Sequence, residues 1–273
     1  APRFSASRFV KWTLDEKPTW YTAVPAIHQI LLGHHEMQDI PGGQFRFIRS
    51  CSSFLPPDTM SQIEDLLGAP LLEAYGMTEA AHQIASNPLP PADRVVGSVG
   101  QATGVEVAIL APDGGILPAG EQGEIAIRGD NVMNGYLDNP EANAMAFSNG
   151  YLRTGDLGKI DTNGYITLLG RLKEFINRGG EKIPPAQIDF VLLNCDGIEK
   201  AAAFGVPDTI YGETVHAAVV TKGPLTEEEI LEHCRNKLPG FMVPVRIHIV
   251  SELPLGPSGK VSRVTLPRLL GLA

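Results

Sequence analysis

The segment Tyr75-Gly76-Met77-Thr78-Glu79 combines residue types that suit the binding of a flat, charged ligand. Its glycine lets the backbone approach the ligand, and its other side chains supply a ring, a hydroxyl and a hard carboxylate oxygen. Mg²⁺ takes only one or two protein carboxylates and completes its shell with water and phosphate oxygens, so a single glutamate is chemically sufficient. The alternative is a strand-to-helix turn with Glu79 near the start of a helix.

Short apolar runs alternate with longer amphipathic runs over residues 19–75, a pattern typical of β-α-β-α-β structure. The runs occupy residues 20–24, 26–35, 45–49, 58–67 and 71–75. A parallel sheet flanked by helices binds ligands beyond the carboxyl ends of its strands. We therefore expect a site in the residues that follow Arg49 and Leu72.

The rest of the chain has a different pattern of apolar segments and turns. Short β-type segments broken by glycine follow residue 87, with turn signals at Asp113-Gly114 and Asn163-Gly164. After residue 171 the pattern predicts helices at 185–193 and 226–237 and strands at 201–204, 215–220 and 247–250. The predicted fold class is α/β: residues 1–170 form part of a parallel α/β sheet domain with a β-rich subdomain at about 91–170, and residues 171–273 form a small α+β domain.

Composition excludes several classes of protein. Nucleic acid is a poor partner, because 22 Lys and Arg stand against 31 Asp and Glu, a formal net charge of -9. Three widely spaced cysteines without a C-x-x-C pair indicate neither disulfides nor a zinc site, and no apolar run approaches the length of a membrane helix. The common phosphate-loop, dinucleotide, nucleophile-elbow and metalloprotease patterns are absent. The C-terminal Gly-Leu-Ala differs from the peroxisomal Ser-Lys-Leu signal, so we expect a cytoplasmic protein.

Three later segments share the order and spacing of a known superfamily. They are Tyr151-Leu-Arg-Thr-Gly-Asp156, Gly170-Arg-Leu-Lys-Glu-Phe-Ile-Asn-Arg-Gly-Gly-Glu-Lys-Ile183 and Pro257-Ser-Gly-Lys260-Val-Ser-Arg263. With the Tyr75 segment, and with Gly123-Glu-Ile-Ala-Ile-Arg-Gly129 running to Gly135-Tyr136, they resemble the adenylate-forming superfamily of acyl-CoA synthetases, luciferases and peptide-synthetase adenylation domains. Residues 20–30, 48–53 and 86–90 are most similar to the oxalate–CoA ligases of plants and fungi.

The resemblance implies that ATP is bound by a defined set of residues. These are Tyr75, Gly76, Met77, Asp156, Arg171, Ser52 and Ser53. Asp156 accepts hydrogen bonds from the ribose hydroxyls, and Arg171 helps to hold the ribose or the phosphates. Thr78 contacts the α-phosphate, and Glu79 holds Mg²⁺ against the departing diphosphate. Tyr75 lies beside adenine, opposite Ser52, Ser53 and Phe54, for which ordinary packing at a strand end is an equal alternative.

The resemblance also assigns roles in the last hundred residues. Lys260 is the catalytic lysine, whose ammonium stabilises the charge that develops when a carboxylate attacks the α-phosphate. Lys173 lies at the hinge on which the C-terminal domain turns between two half-reactions. The loop after Arg178 borders the CoA tunnel through Gly179, Gly180, Glu181 and Lys182. Some relatives carry a lysine where this chain has Asn177, so that position is not counted as catalytic.

The implied reaction needs ATP, Mg²⁺ and CoA. An acid and ATP form an acyl-adenylate and diphosphate, and the CoA thiol then displaces AMP. His82 lies three residues after Glu79, and with Ser50, Ser52 and Ser53 it suggests a small polar pocket for a dicarboxylate, with oxalate favoured. A histidine that bonds its own backbone at a helix start is the alternative.

Two motifs of the superfamily are missing from this sequence. The superfamily's Ser/Thr/Gly-rich phosphate loop, and the aromatic motif that follows it, do not occur upstream of Tyr75. We therefore expect the chain to correspond to the second half of a family member whose N-terminal half is missing. A sheet cut in this way exposes an edge and an apolar face, so the chain alone should fold poorly outside its C-terminal domain and show little ligase activity.

Two other functions fit the same sequence. One is an adenylation module that loads a carrier protein, and the other is an inactive remnant that binds a nucleotide or a partner without turnover.

Overall fold

The structure is a computed structural model that describes residues 4–53, 55–256 and 261–272. Phe54 and Lys260, to which the sequence assigns roles, lie outside these residues. The chain divides into two compact units, Ala1–Leu168 and Leu169–Ala273. Within the described ranges, no helix is both long enough and apolar enough to cross a bilayer.

The first unit begins with the predicted β-α-β-α-β arrangement. Strands β1 (Trp20–Ala23), β2 (Phe47–Ser50) and β3 (Leu71–Tyr75) are parallel, and the short strands β4 (Ala85–Ser86) and β5 (Gln101–Ala102) extend the sheet in the order β1-β2-β3-β4-β5. Helices α1 (Ala6–Glu16), α2 (Pro25–Leu32) and α3 (Pro57–Leu67) accompany it. Proline opens both α2 and α3, where its missing N–H would have no helical partner. The predicted α/β fold class is confirmed.

Apolar side chains from the helices and the three parallel strands form the main core of this sheet, including Leu31, Ile48 and Ile63. β1 is an edge strand among the described residues, and Trp20 on β1, Trp12 on α1 and Ile30 on α2 are exposed.

A second, β-rich sheet completes the first unit. It contains β6 (Glu106–Leu110), β7 (Gly123–Arg128), β8 (Phe147–Ser148), β9 (Tyr151–Ile160) and β10 (Ile166–Arg171), with the short helix α4 (Pro140–Ala146) between β7 and β8. The order is β10-β9-β7-β6, and β8 pairs with β9. One apolar cluster joins Tyr75 and Ile84 to Ile125 and Leu152 of this sheet. This packing places the carboxyl end of β3 beside β9.

Glu73 is a buried carboxyl group within β3, and it predicts a pH dependence of stability. Its Oε2 accepts a hydrogen bond of 3.1 Å from the Gly97 N–H, but burial raises its pKa from 4.5 to about 7. Because the native state binds this proton more tightly than the unfolded state, stability falls as the pH rises from 4.5 through 7. We expect Glu73→Gln to raise the free energy of unfolding at pH 8 by up to about 3 kcal/mol, with much less effect at pH 5.

Urea unfolding followed by tryptophan fluorescence measures this difference, because both tryptophans, Trp12 and Trp20, lie in the first unit. Glu121→Gln, at an exposed position of the same unit, is the matched control. An equal effect of Glu73→Gln at both pH values would contradict the prediction.

The second unit is an α+β structure. Strands β11 (Ile176–Arg178), β12 (Glu181–Ile183), β13 (Ile198–Asp208) and β14 (Gly212–Thr221) form a sheet in the order β12-β11-β14-β13, and β15 (Arg246–Ile249) pairs with β14 in parallel. Helices α5 (Pro185–Leu193) and α6 (Glu227–Arg235) supply apolar side chains to the core on one face, and α7 (Leu266–Leu269) contributes to the other. Thr226 and Glu229 form a capping box at the start of α6.

Candidate functional site

The loop that follows β3 is folded back tightly on itself. The His82 N–H donates to the Met77 carbonyl at 3.0 Å, and the Ile84 N–H donates to the Tyr75 carbonyl at 2.9 Å. A Cβ atom on Gly76 would lie 1.5 Å from the His82 carbonyl oxygen, so only glycine fits there without moving the backbone. The loop thus holds residues 78–83 beyond the carboxyl end of β3, where parallel sheets bind ligands.

Two predicted nucleotide-binding residues meet at this point. The Tyr75 hydroxyl donates a hydrogen bond of 2.5 Å to Asp156 Oδ2, across 81 residues of sequence, and both side chains are buried. Asp156 lies in an irregular part of β9, where one residue of β7, Ile125, faces three residues of β9. Such bulges redirect side chains and are frequent beside active sites.

Neighbouring groups stabilise the bulge. Thr154 Oγ1 donates to the Ile125 carbonyl at 2.8 Å and accepts from the Asp156 N–H at 3.1 Å. The Gly155 N–H, at φ +74°, donates to the buried carboxylate of Glu124 at 3.0 Å. These hydrogen bonds fix the backbone from which the Asp156 side chain projects. A carboxylate positioned in this way can accept hydrogen bonds from sugar hydroxyls.

Thr78 and Glu79 lie in a single 3₁₀ turn, Thr78–Ala80. Thr78 is exposed and Glu79 is half-buried. The Tyr136 hydroxyl donates to Glu79 Oε1 at 3.0 Å, and the Met133 N–H donates to the Glu79 carbonyl at 2.8 Å. Burial, and then the bond to this carboxylate, raise the pKa of Tyr136. Sequence analysis assigned Tyr136 no role beyond its motif, and nothing local marks it as the residue that orients Glu79.

The Glu79 carboxylate fits a Mg²⁺ site of the kind that keeps most of its water and substrate ligands. Among the described residues, only Oε1 makes a hydrogen bond, which leaves Oε2 as a hard donor. No group of three His, Cys, Asp or Glu side chains in the described ranges forms a metal cage. One carboxylate with phosphate oxygens is the arrangement that these residues support.

The predicted polar residues at the end of β2 and just after it lie in different environments. Ser50 is buried on the same face as Ile48, towards the helices, and its Oγ has no hydrogen-bond partner among the described residues. Ser52 and Ser53 are exposed, and Ser52 has a φ of +77° and bonds Cys51 Sγ at 3.7 Å. The structure therefore does not group Ser50 with His82. The pocket predicted from these serines and His82 stays a prediction.

His82 instead contacts Arg49, a residue to which the sequence assigned no function. Arg49 Nη1 lies 3.2 Å from His82 Nε2, and Nη2 donates to Gln83 Oε1 at 2.8 Å. The only sequence signal was its position at the end of a predicted parallel strand.

The predicted residues of the second unit lie on exposed turns and one hairpin. Arg171 ends β10, Lys173 lies in the turn after it, and both are exposed. The β11–β12 hairpin turns through Gly179 and Gly180, at φ +58° and +92°, and carries the exposed Glu181 and Lys182. An isolated bridge between Leu255 and Val261, with the Ser262 N–H bonded to the Pro254 carbonyl at 2.8 Å, joins the two segments that flank Lys260.

Arg263 anchors the segment that follows Lys260. Its Nε donates to Glu174 Oε2 at 3.1 Å, its Nη2 to Asp189 Oδ2 at 2.5 Å, and its Nη1 to the Ala203 carbonyl at 2.9 Å. Asp189 also accepts from the Ala203 N–H at 2.6 Å. One arginine therefore connects the turn after Lys173, helix α5 and strand β13.

Two family models match the chain. Residues 1–137 match the family model of the AMP-binding enzymes, and residues 187–260 match that of the AMP-binding enzyme C-terminal domain. The oxalate–CoA ligase of Arabidopsis thaliana is 48% identical over 267 residues, which are 96% of this chain and 52% of the relative. That of Saccharomyces cerevisiae is 44% identical, over 96% of this chain and 48% of the relative. The chain spans about half the length of these curated relatives.

Solved structures show the same fold. ATP-bound MatB from Rhodopseudomonas palustris superposes with a TM-score of 0.85 at 32% identity, covering 98% of this chain and 54% of that one. o-Succinylbenzoate CoA synthetase from Bacillus subtilis, in complex with its acyl-adenylate intermediate, superposes with a TM-score of 0.88 at 30% identity, covering 97% and 54%. The resemblance predicted from the motifs is confirmed, and the chain belongs to the family of AMP-binding enzymes.

Proposed function

We propose that the chain is part of an ATP-dependent carboxylate–CoA ligase. The observation that carries this proposal is the hydrogen bond between Tyr75 and Asp156, which joins two distant motifs at the carboxyl end of a parallel strand. The CoA-ligase relatives support it, and they favour CoA over a carrier protein as the acceptor. A cytoplasmic location is part of the proposal.

The reaction proceeds in two displacements. A carboxylate oxygen attacks the α-phosphorus of ATP, the bond from that phosphorus to the bridging oxygen of diphosphate breaks, and an acyl-adenylate forms. The sulfur of CoA then attacks the acyl carbon, AMP leaves with the electron pair of the C–O bond, and the thiol proton passes to solvent. Catalysis is mainly positioning and charge stabilisation.

The scheme gives roles to several of the predicted residues. Asp156 binds the ribose hydroxyls, the Thr78 hydroxyl contacts the α-phosphate, and Lys260 stabilises the charge on the reacting phosphoryl group. Mg²⁺, when bound by Glu79, neutralises charge on the phosphates. Residues 171–273 act as a mobile domain with its hinge at Lys173, and the Gly179–Lys182 turn borders the CoA tunnel.

Oxalate is the proposed acid, and the oxalate–CoA ligases of a plant and a yeast among the relatives support it. Because the 273 residues contain no glycine-rich phosphate loop upstream of Tyr75, we propose that a further N-terminal half completes the active enzyme. The chain by itself should release little diphosphate.

The test joins residues 1–273 to the part of the Arabidopsis oxalate–CoA ligase that precedes the matched region; we call this protein the fusion. Oxalate-dependent diphosphate release, and oxalyl-CoA as the product, are expected from the fusion and not from the chain alone. A folded fusion that activates no acid would contradict the ligase function. An NMR titration of the fusion with AMP is an independent check, and it should shift the Gly76 and Gly155 amide signals.

Asp156→Asn tests the nucleotide site. Loss of the carboxylate weakens charge-assisted hydrogen bonds to the ribose, so we expect the KM for ATP in the fusion to rise about tenfold or more, with the KM for oxalate little changed. Asp130→Asn, at an exposed position, is the matched control. A rise in the KM for oxalate alone would contradict the assignment of Asp156 to the nucleotide site.

A further inference from the structure

Arg49 occupies a distinctive position at the carboxyl end of β2. Its guanidinium donates to Gln83 Oε1 at 2.8 Å and to His82 Nε2 at 3.2 Å, and it reaches Thr22 Oγ1 on the neighbouring strand at 3.5 Å. Arg49 and Thr22 are register partners in the parallel pair, so their side chains share one face of the sheet. This face is opposite to the one on which Ser50 is buried.

The side-chain neighbours that the structure gives to the Arg49 guanidinium are Gln83, His82 and Thr22, and none of them is a carboxylate. No carboxylate lies within ion-pair distance of it among the described residues, although acidic residues outnumber basic ones in the chain. A guanidinium only donates, so His82 Nε2 is the acceptor in its contact with Arg49. The positive charge of this half-buried side chain is therefore oriented but not neutralised, an arrangement that favours an anion.

The groups around Arg49 are themselves fixed. Gln83 Nε2 donates to Thr103 Oγ1 at 3.0 Å, and Thr103 Oγ1 donates to the Ile84 carbonyl at 3.2 Å. Ala81 and His82 both have positive φ angles, +47° and +77°, which are strained for residues other than glycine. The tight turn against Gly76 holds them there. Such preorganisation reduces the entropy lost when a ligand binds.

The same loop connects Arg49 to the proposed chemistry. Thr78 and Glu79 begin the loop, His82 and Gln83 end it, and β2 and β3 are adjacent parallel strands. We propose that Arg49 is a specificity-determining residue that binds the non-reacting carboxylate of a short dicarboxylic acid. The proposal rests on the proposed function. While Arg49 binds one carboxylate, the other points towards Thr78 and Glu79, where it reacts with ATP. Arg49 thereby selects dianions over monocarboxylates of similar size.

Arg49→Gln in the fusion is the direct test. We expect the KM for oxalate to rise about 10- to 100-fold, because charge-assisted hydrogen bonds to the second carboxylate are lost. The KM for ATP should stay within about twofold, since that site is formed by other residues. The preference for oxalate over glyoxylate, which lacks the second carboxylate, should fall by the same factor. Arg49→Lys should recover part of it, because the charge remains while the two-point geometry is lost.

Arg46→Gln is the matched control, since Arg46 is an exposed arginine just before the same strand. It should leave both KM values unchanged. If Arg49→Gln leaves the oxalate KM and the oxalate-to-glyoxylate ratio unchanged in an active fusion, the assignment to Arg49 is overturned while the ligase function stands.

An inactive fusion would contradict the proposed function instead, and binding of oxalate to the folded fusion then decides the role of Arg49. Oxalate should shift the side-chain NMR signals of His82 and of the Arg49 guanidinium, and the His82 shift should disappear in Arg49→Gln. The absence of any shift in the unsubstituted fusion would overturn the proposal.

Discussion

Replacing Arg263 with alanine should lower the free energy of unfolding of the second unit by about 3–5 kcal/mol, the usual effect of leaving one buried charge without its partner. Of its donors among the described residues, Asp189 would keep the Ala203 N–H alone. Burial already raises the pKa of Asp189 even with Arg263 beside it. In the variant that pKa rises further, so the loss of stability should shrink as the pH is lowered from 8 into the acidic range, where protonation of Asp189 removes its unpaired charge.

The two units need separate probes, because a two-unit chain need not unfold in one step. Hydrogen exchange of the Ala203 and Val219 amides in urea reports on the second unit, while tryptophan fluorescence reports on the first. Arg235→Ala is the matched control: Arg235 also binds two carboxylates, Glu228 and Glu232, but all three side chains are exposed. It should cost at most about 1 kcal/mol.

Equal losses for Arg263→Ala and Arg235→Ala would refute this account. Arg263 lies three residues after Lys260, so a measured difference would also show how strongly the chain holds the segment next to the proposed catalytic lysine.

Gly76→Ala should reduce diphosphate release by the fusion about 100-fold or more. The added Cβ would lie 1.5 Å from the His82 carbonyl oxygen and 2.5 Å from its carbon, and both belong to backbone that cannot rotate away. The φ of Gly76 is not among the positive values, so the cause is steric overlap and not a forbidden conformation. Relief requires displacement of the loop that carries Thr78 and Glu79, and a shift of about 1 Å at reacting groups costs about two orders of magnitude in rate.

Gly42→Ala is the matched control, since a Cβ there meets nothing within 4 Å and φ is ordinary. It should leave the rate unchanged. Faster exchange of the Ile84 amide, which bonds the Tyr75 carbonyl across the loop, gives a structural measurement that does not depend on activity. A Gly76→Ala fusion with more than half of the original rate would contradict the steric argument.

Several features of this protein were predictable from sequence because their causes are local. Apolar periodicity predicts the alternating strands and helices of the first sheet, and Pro25 and Pro57 open its helices α2 and α3. Thr226 and Glu229, only three residues apart, cap helix α6. The order of the motifs predicts the family, since each motif is short and continuous in the chain.

The connections between those motifs were not predictable, because they depend on strand register and on a bulge. Asp156 reaches Tyr75 only because three residues of β9 face one residue of β7. The sequence predicts one pocket for Ser50 and His82. Alternation along β2 turns Ser50 towards the helices, and Arg49, one residue earlier, is the side chain of this strand that contacts His82.

The sequence alone thus determined the family, the fold class and the residue types at the site. Which side chains meet was decided by the tertiary structure, as Tyr136 with Glu79 and Arg263 with Asp189 also show. The physical reason is that local patterns set each element's conformation and buried face, whereas contacts across tens of residues follow from how the elements pack.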